Sequence, residues 1–260
     1  MVDVKGWTAL VTGASNGLGV DFARELARRG CHLVLVARRE PELRAVADEL
    51  TAAHGVRVDV IAMDLGERGA AQRLHRAVAD LGRSVDVLVN NAGFGLYGAF
   101  VDIDLEREQS MLELDILALV ALTKLFARDM VVRKRGCILQ VASIGAFQPS
   151  PTYATYSAAK AFVLSFGEAL AYELRGTGVT CTVVSPGVTR TAFLEVAGQQ
   201  VNAFQRATMM ESPAVAAIGV DAMLRGRSSV VTGVMNAINT WFASMLPRQW
   251  AAAIGDRAMQ

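Results

Sequence analysis

The chain has little that would tie it to a metal ion, a membrane or a nucleic acid. It carries three cysteines and three histidines in 260 residues. Cys31, Cys137 and Cys181 are far apart, odd in number and without a Cys-x-x-Cys pair. That pattern argues against a disulfide framework. Each cysteine falls at or inside a strand-like run, which suits buried free thiols in a reducing compartment. The histidines lack the spacing to carboxylates that a metal site needs. A net charge of +1 supplies no polybasic surface for nucleic acid or anionic lipid. No run of about 18 apolar residues occurs, so no spanning helix is expected. The opening MVDVKGWTAL moves straight into a strand without a signal-peptide pattern, and a cytoplasmic location is expected. Internal repeats, low-complexity tracts and marked domain boundaries are also missing, so residues 1–260 read as one domain.

What is present is apolar sequence, 52% of the chain, in regular alternation. Thr8–Val11, His32–Ala37, Val56–Met63, Val85–Val89, Cys137–Ala142, Thr180–Val184 and Ser229–Thr232 read as strands. Helical patterns stand between them at Val20–Arg29, Glu42–Ala53, Ala70–Leu81, Leu105–Arg133 and Thr155–Arg175, then from Ser212 to about Arg225. Strands apolar along their whole length, separated by helices, imply a parallel sheet covered on both faces. The helices at 105–133 and 155–175 are more apolar than one sheet face can bury, which points to contact between subunits.

The first strand runs into Thr12-Gly13-Ala14-Ser15-Asn16-Gly17-Leu18-Gly19 and then a helix. Glycines at that junction let the backbone approach a ligand, and the helix start offers unpaired N–H groups to a pyrophosphate. In such dinucleotide sites an acidic residue ending the second strand selects NAD. Here that strand ends at Ala37, followed by Arg38 and Arg39, which favours the 2′-phosphate of NADP(H). Asp64, Asn90 and Gly93 fall at carboxyl ends of strands, where these sheets bind ligands.

Ser143 stands at the end of the fifth strand, with Tyr156 thirteen residues later and Lys160 four beyond it. Tyr156 and Lys160 share a helical face. A fixed ammonium should lower the phenol from its usual value of about 10, and the phenol could then exchange a proton with a carbonyl or alcohol oxygen. A strand-end serine could hold that oxygen.

In this order the chain resembles the short-chain dehydrogenase/reductase family over nearly its whole length. The resemblance rests on Thr12-Gly13-x-x-x-Gly17-x-Gly19, Asp64-Leu65, Asn90-Asn91-Ala92-Gly93, the set Ser143, Tyr156 and Lys160, and Pro186-Gly187 with Thr191. It implies a Rossmann-type, doubly wound parallel sheet of seven strands and reversible hydride transfer between NADP(H) and a carbonyl or alcohol. By that likeness Tyr156 is the acid in reduction, Lys160 lowers its pKa and holds the nicotinamide ribose, and Ser143 positions the substrate oxygen. The implied cofactor contacts are Gly13, Ser15, Asn16, Gly17, Leu18, Gly19, Arg38, Arg39, Asp64, Leu65, Asn90, Ala92, Gly93, Tyr156, Lys160, Pro186, Gly187, Val188, Thr189 and Thr191. The resemblance also implies a homo-oligomer, dimer or tetramer, through the two long helices. Where the family commonly has Asn, supporting a proton-relay water, this chain has Asp115. That carboxylate either replaces Asn in shape alone or changes the relay's response to pH.

The expected substrate is a small carbonyl or alcohol compound, most simply a hydrophobic ketone. A catalytically silent nucleotide sensor or scaffold on the same fold is the competing reading. A loose segment over residues 192–211, with Phe193, Leu194, Phe204, Met209 and Met210, is expected to act as a substrate loop. In the tail, residues 234–260, Val234, Ile238, Trp241, Phe242 and Met245 form an apolar helical face, broken at Pro247 and resumed by Trp250 and Ile254. This tail could pack on the protein, border the substrate cleft or, less simply, lie on a membrane.

Overall fold

The computed structural model describes residues 1–199, 206 and 208–259. The chain alternates strand and helix from the start: β1 (Thr8–Thr12), α1 (Gly17–Arg28), β2 (His32–Ala37), α2 (Glu40–His54), β3 (Val58–Ala62), α3 (Ala70–Asp80) and β4 (Val87–Asn90). The long helical stretch follows in three parts: α4 (Leu105–Leu112), a π-helical turn (Glu113–Ala118) and α5 (Leu119–Arg133). Then come β5 (Gly136–Val141), a 3₁₀ turn (Ile144–Phe147), α6 (Ala154–Glu173) and β6 (Val179–Ser185). The last part holds β7 (Thr189–Arg190), α7 (Phe193–Ala197), β8 (Met210–Glu211), α8 (Ser212–Leu224), β9 (Ser229–Val231), α9 (Val234–Met245) and α10 (Arg248–Met259).

Seven strands form one parallel sheet in the order β3-β2-β1-β4-β5-β6-β9, as the uninterrupted apolar runs require. Side chains alternate between its faces. Val11, Leu33, Leu35 and Leu139 meet Phe22, Leu26, Leu43, Val220 and Met223 from α1, α2 and α8. Leu10, Val34, Leu88 and Ile138 meet Leu74, Leu122, Phe126 and Met130 from α3 and α5. The strand order reverses between β1 and β4. A crevice therefore opens at the carboxyl ends of the strands there. All three cysteines are buried and free; burial pushes the Cys31 and Cys181 thiols up to about 12.

Two boundaries differ from the sequence reading in ways that matter. Helix α1 starts at Gly17, three residues before Val20. Its N-cap, Asn16, makes no side-chain bond to the first turn, which leaves those N–H groups facing the crevice. The helix expected over 105–133 is helical throughout but contains the π-turn, and Asp115 lies inside it. Such single-turn insertions are frequent at functional sites.

Tail helix α9 is inverted. Asn236 and Thr240 are buried, while Val234, Met235, Ile238, Trp241, Phe242 and Met245 are exposed. Asn236 packs directly against Gly187, and Gly255 of α10 lies against Gln148 and Pro149. The tail thus braces two loops from behind.

Candidate active site

The Gly-rich turn is built by close backbone packing. Gly13 has φ +69°, and a Cβ there would stand 2.8 Å from Asn91 Nδ2. Gly19 lies against the carbonyl oxygen of Gly13, where no Cβ fits. Thr12 locks the turn to the next strand end. Its Oγ1 accepts from the amides of Asn91 and Ala92, both at 3.0 Å, and Asn91 Nδ2 donates to Thr12 O at 2.9 Å. On the far side of the crevice, Ile144 N donates to Pro186 O at 2.9 Å. The Ser143 turn and the Pro186-Gly187 turn are held together by that bond.

A cleft of about 1070 Å³ runs between these turns. Of the residues expected from sequence, Gly13, Ser15, Asn16, Gly17 and Leu18 line one end. Arg38, Arg39, Asp64 and Leu65 line its adjoining wall. Ala92 and Gly93 form the floor, and Pro186, Gly187, Val188, Thr189 and Thr191 the opposite rim. Ser143, Tyr156 and Lys160 meet at the other end. Arg39 Nη2 donates to Ser15 Oγ at 3.4 Å, and Arg38 Nη1 stands 3.7 Å from Asp64 Oδ2. Two cations and a hydroxyl thus gather at the end of β2, with Asp64 and Glu42 beside the arginines and an alanine, Ala37, at the strand end.

Three expected residues do not line the cleft. Gly19 is a packing residue. The Asn90 side chain turns inward, where Nδ2 donates to Thr123 Oγ1 at 2.9 Å and to Gln140 Oε1 at 3.0 Å. Asp115 lies beneath the floor, fully buried, and touches Gly93.

Asp115 Oδ2 is 2.9 Å from Lys160 Nζ, and Asp115 Oδ1 accepts from the amide of Phe94 at 3.1 Å. Lys160 Nζ also donates to Val141 O at 3.3 Å and stands 5.6 Å from the centroid of the Tyr156 ring. Burial alone would lower the Lys160 ammonium; Asp115 and Tyr156 outweigh burial and hold it above its ordinary value. The expectation that Lys160 brings Tyr156 below the free value is not met. Burial raises the phenol, Lys160 opposes that, Asp115 adds to it, and the net direction is upward.

A model of the short chain dehydrogenase family matches residues 7–202. The chain belongs to that family. An uncharacterized oxidoreductase of Myxococcus xanthus is 34% identical over 247 residues, 95% of each chain. A very-long-chain 3-oxoacyl-CoA reductase of Anas platyrhynchos is 31% identical over 246 residues, 93% of this chain and 76% of that one. Against fungal enzymes of the same name the chain spans only 55–58% of their length. A short-chain dehydrogenase from Sphingobium yanoikuyae, solved with NADPH, superposes with a TM-score of 0.82 at 29% identity, covering 93% of this chain and 97% of that one.

In this short-chain dehydrogenase the end of the cleft that holds Ser143, Tyr156 and Lys160 has an aromatic wall, of which sequence reasoning missed Tyr153 and Tyr97. The ring of Tyr153 is 5.6 Å from that of Tyr156 and 5.3 Å from that of Tyr97, and the ring of Phe193 is 5.4 Å from that of Tyr156. Tyr153 donates its phenol proton to Gln199 Oε1 at 2.8 Å, which ties α6 to the end of the α7 segment. Tyr153 was within reach of sequence reasoning, one helical turn before Tyr156. Phe193 was expected in the substrate loop, but its packing on Tyr156 and the arrival of Gln199 left no local signal. Helix α7 gives the expected substrate loop structure at its start; residues 200–205, with Phe204, and residue 207 lie outside the described residues. No described residue of the tail lines the cleft. No helix among the described residues is long and apolar enough to cross a membrane, and no cluster of metal-ligating side chains occurs among them.

Proposed function

We propose that this oxidoreductase reduces a bulky, apolar ketone with NADPH. The observation that carries the reading is the meeting of Ser143, Tyr156 and Lys160 at one end of a cleft whose other end is a strand–glycine–helix cradle beside two arginines. NADPH, when bound, supplies the hydride. The first turn of α1 and the Gly13–Gly17 turn would hold its pyrophosphate. Ser15, Arg38 and Arg39 would meet its 2′-phosphate. Ser143 holds the carbonyl oxygen, and Tyr156 gives it the phenol proton as the C–O bond becomes an alcohol. Lys160 steadies the phenolate left behind and is placed for the nicotinamide ribose. The scaffold reading has no use for this arrangement.

The aromatic wall, with Leu194 and Val196 of α7, favours an apolar substrate over a small polar one. The NADPH-bound structure and the long-chain 3-oxoacyl-CoA reductase among the relatives support both halves of the reading. The assembly we propose is a homo-oligomer through α5 and α6, which keep Val132, Phe162 and Tyr172 exposed. A panel of ketones graded in bulk, run with NADPH and with NADH and read by loss of nicotinamide absorbance, tests the function. No turnover of any ketone with either cofactor would refute it.

A further inference from the structure

Asp115 has no part in the reaction as described above, yet it is the best-buried charge in the site. Its carboxylate is wholly inaccessible and 2.9 Å from Lys160 Nζ. The π-turn over Glu113–Ala118 carries it there, and the Phe94 amide fixes its second oxygen. Gly93 leaves room for it, because a Cβ at that position would come within 2.7 Å of Asp115 Oδ1. An asparagine at the same place would keep the amide contact and leave the ammonium unpaired.

We propose that Asp115 is a positioning residue acting through Lys160: it neutralises the ammonium that faces Tyr156, keeps that phenol in its proton-bearing form, and so sets the site for carbonyl reduction over alcohol oxidation near neutral pH. The inference rests on the reading of Tyr156 as the acid. An isolated ammonium at the ring would favour phenolate. A paired one presents a dipole, whose field falls off faster with distance. The groups facing Tyr156 do not restore the lost charge. Tyr153, the N-cap of α6, is a phenol that burial pushes up, Phe193 of α7 is apolar, and Ser143, just past β5, is a hydroxyl hydrogen-bonded to the Tyr156 phenol. Arg107 on α4 and Glu195 on α7 also line the cleft, both exposed and of opposite sign. Burial is the largest cause of the upward direction for Tyr156, and Asp115 adds to it against the opposing pull of Lys160 and Ser143. Reduction needs the phenol protonated at the outset and oxidation needs it ionised. A phenol that holds its proton extends reduction to higher pH and delays oxidation.

The test is Asp115→Asn, which keeps an acceptor for the Phe94 amide and removes the charge. Profiles of kcat/KM against pH are measured in both directions, with a ketone from the panel and its alcohol. The alkaline fall of reduction and the rise of oxidation should both move down by about one unit, the effect of one nearby charge. Oxidation at a fixed neutral pH then gains up to about tenfold. A uniform loss of kcat with both limbs unmoved marks a merely structural role and overturns the proposal. A second measurement needs neither substrate nor that variant. Phenolate absorbance of the parent protein, with Tyr156→Phe as the reference, should show Tyr156 un-ionised up to about pH 10, the value of free tyrosine. Ionisation below that overturns the proposal. If the parent reduces no ketone, the functional reading fails, and repeating the absorbance titration on Asp115→Asn, where ionisation of Tyr156 should begin about one unit lower, still decides the role of Asp115.

Discussion

Replacing Arg38 with alanine should turn a cofactor preference into near indifference. Its side chain is 76% exposed, and its nearest anion is Asp64 at 3.7 Å. An exposed pair of that kind holds the guanidinium weakly, so Arg38 is free to turn to a 2′-phosphate. Arg39 is less free, standing 3.3 Å from Glu42 while donating to Ser15. A hydrogen bond to a charged group contributes about 1.5–3 kcal/mol, and the exposure of Arg38 argues for the lower end. About 1.5 kcal/mol is roughly a tenfold change in kcat/KM with NADPH. NADH has no phosphate at that point and should be used nearly as before. Removing Arg39 as well should deepen the NADPH loss, since the second cation then no longer compensates. The assay is initial rates with both cofactors at two ionic strengths, because screening over about 8–10 Å should narrow the parent's preference as salt rises. An equal loss for NADPH and NADH in Arg38→Ala would refute the reasoning. So would a parent that uses both cofactors alike.

Other outcomes follow from the same geometry. Tyr156→Phe removes the proton donor and should lower kcat by at least ~100-fold while cofactor binding, followed by nicotinamide fluorescence, is kept. Phe193→Ala opens the aromatic wall and should cost roughly tenfold in kcat/KM for the bulkiest ketones accepted, with small ketones little affected; steady-state rates across the panel check it. Phe162→Glu places a charge on the exposed face of α6 and should reduce the solution mass to that of one chain, as read by light scattering. A mass unchanged from the parent would remove α6 from the interface.

The fold was legible because its determinants are local. Runs such as His32–Ala37 could only be strands buried on both sides, and the glycines after Thr12 fall where a strand must turn into a helix. Most of the cleft was legible for the same reason, since it forms at strand ends. Asn90 turns its side chain away from the cleft, and the signal for that was present. It shares the strand face of Leu88, which points into the core beneath α5, so its amide had to find partners there. The π-turn left no such signal. Apolar residues around Asp115 fit an α-helical stripe well enough to hide one extra residue. Asp115 was noted as a carboxylate that could act on the relay, but without that turn its complete burial and its 2.9 Å pairing with Lys160 were out of sight. Phe193 was read as part of a substrate loop, but its contact with Tyr156 and that of Gln199 with Tyr153 join residues about forty positions apart, which no spacing rule reports.

The π-turn also makes the site depend on chain length as well as on side-chain identity. Successive residues of an α-helix are about 100° apart around its axis. One residue more in the turn between α4 and α5 therefore sets the phase of one helix against the other. Met111 faces the interior and Arg107 the cleft only under that phase. Deleting a residue between Glu113 and Ala118 would allow regular helix throughout, and every side chain on one flank would swing by that angle relative to the other. Lys160 would lose its counter-ion with all of its own neighbours on α6 unchanged. Helix length in this segment thus decides whether Asp115 reaches Lys160, and an alignment that compares residues only column by column passes over it.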